Sequence, residues 1–225
     1  MKSYSYLFLF YLIIPAGCAR YQYMSVNSHL FQNDNKEFIR ENDTVILKYS
    51  FSGQNFPLTL TIFNKLPQPV YIDLERTLLV VNNAQVNGPF YNDTQTSFIA
   101  PLSYTTLISN PLKDKFVKLD RQDSLIYHSS RNSLGRNYSF NEETTPLFFR
   151  VILALSPYEN YSNPTFYDYS FWISDITQSY VNPNFSRYKQ SNTFYIKKPT
   201  GFARVANWTG ILAILIIGGA INGGE

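Results

Sequence analysis

Apolar and polar positions alternate with a period of two through most of the chain, as they do in strands with one buried face. In 45–51, Val45, Leu47, Tyr49 and Phe51 fall on one side and Lys48 and Ser50 on the other. Leu58, Leu60 and Ile62 alternate with Thr59, Thr61 and Phe63. Asn64 to Gln68 reads as a turn, Pro69 to Asp73 resumes an extended path, and Arg76 to Val81 is a further apolar run closed by Asn82-Asn83. Ser97 to Ile99 and Tyr104 to Ile108 flank Pro101, which suits a bend or an edge. Leu147 to Leu155 is almost continuously apolar and predicts a central strand covered on both faces. Tyr167, Tyr169, Phe171 and Ile173 define one face of another strand, and Thr193 to Ile196 the last. Leu112 to Glu143 is the least regular stretch and predicts a long excursion.

No apolar pattern of helical period with capping signals lies between Tyr21 and Arg204. Roughly eight to ten short strands separated by Asn, Pro and Ser turns predict an all-β fold, an Ig-like β-sandwich, with a closed barrel as the runner-up. No internal repeat of fixed period is present.

Both ends break the alternation. Lys2 precedes an uninterrupted apolar run from Tyr6 to Ile14, and Pro15-Ala16-Gly17-Cys18 follows before the chain turns polar. A run this short, closed by small residues, has the form of a signal peptide; a spanning helix needs about 20 apolar residues. Ile211 to Ile221 is strongly apolar and follows Lys197, Lys198 and Arg204. As a helix these eleven residues span about 16 Å against a hydrocarbon core of about 30 Å, and extending back to Val205 brings in Asn207 and Thr209. The segment is compatible with a buried closing element, a short membrane-inserting or interfacial helix, or a partner-docking tail. The expected organisation is a leader over 1–17, a sandwich over 18–204 and an apolar tail over 205–225.

Composition narrows the class. The 225 residues are 44% hydrophobic and 17% aromatic, enough for one globular domain with a real core. Nineteen basic and 16 acidic residues are scattered along the chain, so no nucleic-acid partner is expected. Cys18 is the single cysteine, which excludes an internal disulfide and a CxxC-type zinc site.

Candidate chemistry is sparse. His29 and His128 are the only histidines, and no nucleophile-elbow pattern surrounds Ser129 or Ser130. Glu142 and Glu143 are adjacent and would face opposite ways on a strand, which does not suit an acid/base pair. Asp114, Asp120 and Asp123 are interspersed with Lys113, Lys115, Lys118 and Arg121 and lack the spacing and glycine of a calcium loop. Tyr158, Tyr161, Phe166, Tyr167 and Tyr169 form an aromatic cluster that could stack on sugar rings or a peptide, although such density ordinarily fills a core. Six N-x-S/T triplets begin at Asn42, Asn92, Asn137, Asn160, Asn184 and Asn207, which would carry glycans on a eukaryotic or viral secreted protein. No catalytic, cofactor-binding or metal-ligating residue is assigned, and no cofactor or enzyme activity is expected.

Ala16-Gly17-Cys18 resembles the lipobox of bacterial lipoproteins, with Pro15 where Leu is usual. Tyr21-Gln-Tyr-Met24, the 41–51 segment, Asn64-Lys65 with Pro69-Val-Tyr-Ile-Asp73, Pro146 to Arg150 and the strand around Phe171 resemble a family of uncharacterised bacterial lipoproteins, with Leu74 where that family carries Trp. The resemblance implies diacylglycerol on the Cys18 thiol, cleavage just before it, and a β-rich domain anchored by its acyl chains. The expectation is therefore a lipid-anchored cell-envelope protein, placed at the outer membrane, acting as a binding or structural module. Its partners would be membrane lipid through Cys18 and a membrane or protein contact through Ile211 to Ile221. A membrane-associated enzyme without linear motifs and a eukaryotic or viral glycoprotein are the alternatives.

Overall fold

A computed structural model describes residues 19–86, 90–92, 97–111, 115–119, 128–132, 135–183 and 190–199. The expected signal helix, Cys18 and the Ile211 to Ile221 segment lie outside these. The described residues hold two antiparallel-dominated sheets of eleven and six strands and no helix. Eleven of the strands are four residues or longer; the other six are two- or three-residue pairings, of which two lie in the extended stretches read at Pro69 to Asp73 and Ser97 to Ile99.

The six-stranded sheet runs, edge to edge, β10 (Phe90–Asn92), β12 (Tyr104–Ser109), β6 (Thr59–Asn64), β4 (Val45–Ser50), β3 (Phe38–Glu41) and β2 (Phe31–Gln32). Its alternation is the one written in the sequence: Val45, Leu47 and Tyr49 of β4 and Leu60 and Ile62 of β6 are buried, while Lys48 points to solvent. The eleven-stranded sheet contains β11 (Phe98–Ile99), β7 (Val70–Ile72), β15 (Phe148–Ser156), β16 (Thr165–Ser179), β1 (Ala19–Ser28), β17 (Thr193–Pro199) and β5 (Gly53–Gln54) in that order. Its branches are β8 (Leu78–Val81) with β9 (Ala84–Val86), and β13 (His128–Asn132) with β14 (Gly135–Ser139). Leu147 to Leu155 is central as expected: β15 lies between β16 and the pair β7 and β8, and Leu153 to Ser156 are all buried.

The sheets meet through aromatic rings. Phe171 of β16 lies 5.5 Å from Phe38 and 5.1 Å from Tyr49 across the sandwich and stacks on Phe149 at 5.3 Å. Phe56 closes one end, 4.9 Å from Phe149 and 4.4 Å from Phe194. The ring separations suit edge-on and offset contacts, which add to the stabilisation from burial alone. The 18 Phe and 18 Tyr of the composition thus include the core's principal filling.

The 112–143 stretch is only partly an excursion. Its described residues include the hairpin of β13 and β14, and β14 pairs with β16 through Arg136 to Ser139. Tyr138 alone of this hairpin's described side chains is buried, so no apolar alternation announced it.

Candidate functional site

The chain enters and leaves the described fold at one corner. Ala19, the first residue of β1, lies opposite Pro199, the last of β17. Cys18 is therefore one peptide bond from a strand, with no linker between it and the sandwich. In this register Arg20 is opposite Lys198 and Tyr21 opposite Lys197. On the other side of β1, Gln22 faces Gln178 of β16, and Gln178 faces Arg136 of β14. Arg20, Lys197 and Lys198 are exposed and Arg136 is half-buried.

Several contacts hold this end in place. The Arg20 guanidinium donates to the Gln178 side-chain carbonyl. Gln22 is fully buried and clamps the 115–119 segment: Val117 N donates to Gln22 Oε1 (2.7 Å) and Gln22 Nε2 donates to the Val117 carbonyl (3.0 Å). That clamp sets Phe116 beneath Lys198, whose Nζ is 5.8 Å from the ring centroid. On the opposite face of β1, Tyr21, Tyr23 and Tyr195 cluster at ring separations of 6.0–6.1 Å, and Tyr23 Oη donates to the Val181 carbonyl (2.5 Å).

Two concave surfaces lie elsewhere. A cavity of about 410 Å³ is lined by Asp73, Arg76, Ser97 and Tyr161 among others. Its carboxylate is already engaged: Asp73 Oδ1 accepts from Arg76 N (3.1 Å) and Oδ2 lies 3.4 Å from Arg76 Nε, holding the turn between β7 and β8. On the outer face of the six-stranded sheet, Ile46, Phe63 and Tyr104 form a cross-strand row beside Lys48 and Thr61. They line a shallow groove of about 440 Å³, with Tyr104 72% exposed. This is an exposed, mixed apolar surface of the kind that contacts other molecules.

The sequence candidates are dispersed. His29 is exposed, 2.9 Å from Glu142 and 5.0 Å from the Trp172 ring, at a surface edge rather than in a cleft. His128 sits on β13 and pairs with Ser139. Glu143 N donates to the Asn141 side chain in the turn that carries both glutamates. Asp114, Asp120 and Asp123 lie outside the described residues. Among the described residues no group of three or more His, Cys, Asp or Glu side chains could hold a metal ion.

The aromatic cluster is divided between environments. Tyr167 is buried and accepts from Asn42 Nδ2 (3.1 Å), Tyr169 packs edge-on to Tyr49, Tyr161 lines the loop cavity, and Tyr158 and Phe166 are exposed. Burial pushes the Tyr169 phenol above its usual range, against an opposing pull from Arg40. Of the glycan triplets, Asn42 Nδ2 and Asn137 Oδ1 are engaged by Tyr167 and Thr177, whereas Asn160 is exposed in a loop. Asn92 lies on β10, and Asn184 and Asn207 fall outside the described residues.

Compared with known proteins, the chain matches no family model, no curated protein and no solved structure. What is established is the class: an all-β sandwich of two unequal sheets in which the first and last described residues, Ala19 and Pro199, lie side by side.

Proposed function

We propose that the protein is a lipid-anchored component of the bacterial cell envelope that works as a binding or structural module, held at the membrane through Cys18. The observation that carries this reading is β1 at Ala19, directly after the lipobox-like Ala16-Gly17-Cys18. Cleavage before Cys18 would remove the apolar leader without taking a described residue from either sheet. Acyl chains on the thiol would then seat one corner of the sandwich against the bilayer, two or more chains being needed for stable attachment. The groove beside Tyr104 supplies a contact surface away from that corner. Outer-membrane placement goes with the lipoprotein resemblance.

The test is fractionation of bacterial cells expressing the full chain, Cys18→Ala, and Cys18→Ala with residues 205–225 deleted, together with intact mass measurement. The wild type is expected to carry added lipid mass, and Cys18→Ala to lose it. Release of Cys18→Ala into the soluble fraction makes Cys18 the sole anchor. Its retention, with release only of the doubly altered chain, makes the apolar tail a second anchor. A wild type without added lipid mass overturns the lipoprotein reading and promotes the secreted-glycoprotein alternative.

A further inference from the structure

The corner at which the chain enters and leaves is also basic. Four neighbouring strands, β14, β16, β1 and β17, end there, and across them lie Arg136, Arg20 and Lys198, with Lys197 on the opposite face. Strand spacing of about 4.8 Å and a rise of about 3.4 Å per residue put the backbone positions of these cations within about 16 Å of one another at the sheet end. The clamped 115–119 segment adds Lys115 and Lys118, both exposed and flanking the residues that Gln22 and Lys198 hold. The ion pairs among the described residues are His29–Glu142, Lys65–Glu41, Arg76–Asp73 and Arg150–Asp168, so none neutralises any of the six. Asp114 and Asp120, the acids nearest in sequence, lie outside the described residues. One residue beyond the Ser179–Tyr21 pair, Tyr180 exposes 72% of its surface at this same end.

We propose that this end of the sandwich rests on a membrane surface rich in anionic phospholipid, with Arg20, Arg136, Lys197 and Lys198 against lipid phosphates and the Tyr180 ring at headgroup depth. Charge complementarity selects the occupant. A cluster of four to eight Lys and Arg next to a membrane attachment point draws anionic headgroups, and tyrosine rings settle at the interface because one end is apolar and the other wet. The position of the cluster supplies the rest. Cys18 directly precedes Ala19, so anchoring there brings this end of the sandwich to the bilayer. The proposal deepens the anchored reading and depends on Cys18 only for how firmly the face is held.

The experiment uses the purified full chain, reconstituted by detergent removal into a mixture of two differently tagged nanodisc populations. One contains phosphatidylcholine alone and the other about one third phosphatidylglycerol. Acyl chains and an apolar tail find the same hydrocarbon in both, so the ratio of chain between them reports the polar surface. The wild type is expected to favour the anionic discs by at least about fivefold near 0.1 M salt and to lose that preference near 1 M, where screening is complete within about 3 Å. The variant R20Q/R136Q/K197Q/K198Q is expected to distribute evenly at both salt concentrations, with its thermal unfolding compared with wild type to establish that it folds. An even wild-type distribution at low salt, or a preference that survives 1 M salt, overturns the proposal whether or not the variant folds. So does a preference retained by a folded variant. Intact mass of the same samples separates the two claims: a chain without acyl mass that still prefers anionic discs loses the lipoprotein reading and keeps the surface.

Discussion

Asn64 is fully buried at the end of β6, and its side chain joins three stretches of backbone. Nδ2 donates to the carbonyls of Gln68 (2.8 Å), Ala100 (3.1 Å) and Ile99 (3.2 Å), and Oδ1 accepts from Leu66 N (2.9 Å). The carboxamide thereby closes the turn into β7 and ties it to the segment that leads from β11 to β12. Only a side chain with both donors and an acceptor can do this, since a carboxylate would face three carbonyls. Asn64→Ala leaves these buried groups unpaired and is expected to cost about 2–3 kcal/mol in denaturant unfolding at unchanged m-value. Asn64→Asp should cost at least as much at neutral pH. A loss below about 0.5 kcal/mol would show that water replaces the carboxamide. The same reasoning gives the Asp73 carboxylate a structural task, because its oxygens hold the turn at Arg76.

Among the strands, Gly135 is a comparable pivot. It begins β14 at φ 147°, and a Cβ placed on it would stand 2.1 Å from the Gln178 carbonyl oxygen. Gly135→Ala must push β14 off β16 at the basic end, so we expect a loss of about 2 kcal/mol and faster hydrogen exchange at the β14 amides. Unchanged protection there would mean that the two strands separate without cost. The longer strands were legible because each buries one face: the period-two patterns of β4 and β6 reappear residue for residue in their burial, whereas in β16 Tyr167, Phe171 and Ile173 are buried but Trp172 is buried too and Tyr169 only half-buried. Three features were hidden. Ser174 is an extra residue where the β1 register slips between Ser25 and Val26, so the inward positions of β16 pass from Ile173 to Ile176. Asn55 and Phe56 both adopt left-handed backbone (φ 64° and 58°), which local sequence disfavours for Phe and which its burial between Phe149 and Phe194 compensates. The hairpin of β13 and β14 carries too few apolar residues to show a period. The basic end was half visible, as Lys197 and Lys198 ahead of the apolar tail; Arg20 and Arg136 join them only through strand pairing between distant parts of the chain.

The molecule as a whole is two sheets glued by rings, and among the described residues that filling leaves one buried side-chain polar atom without a partner. Tyr49 of β4 is fully buried between Phe171 and Tyr169, and its hydroxyl makes no hydrogen bond. Burial holds its pKa well above the ordinary 10.0, with Tyr169, Asp168 and Tyr167 adding to the effect. The sign of the linkage follows: the folded state keeps the phenol neutral, so its contribution is intact below pH about 10 and is lost as pH rises beyond that, where only the unfolded chain ionises. Each pH unit above 10 should cost the folded protein about 1.4 kcal/mol through this one side chain. Tyr49→Phe removes both the unpaired hydroxyl and the linkage while keeping the ring contacts that join the sheets. It is expected to be as stable as wild type at pH 7 or more stable by about 1 kcal/mol, and to unfold at higher pH in an alkaline titration. A variant that is less stable at pH 7 would mean that the hydroxyl is bonded in solution. One that is equally stable at pH 7 but unfolds at the same alkaline pH would mean that the sheets part before this phenol is reached.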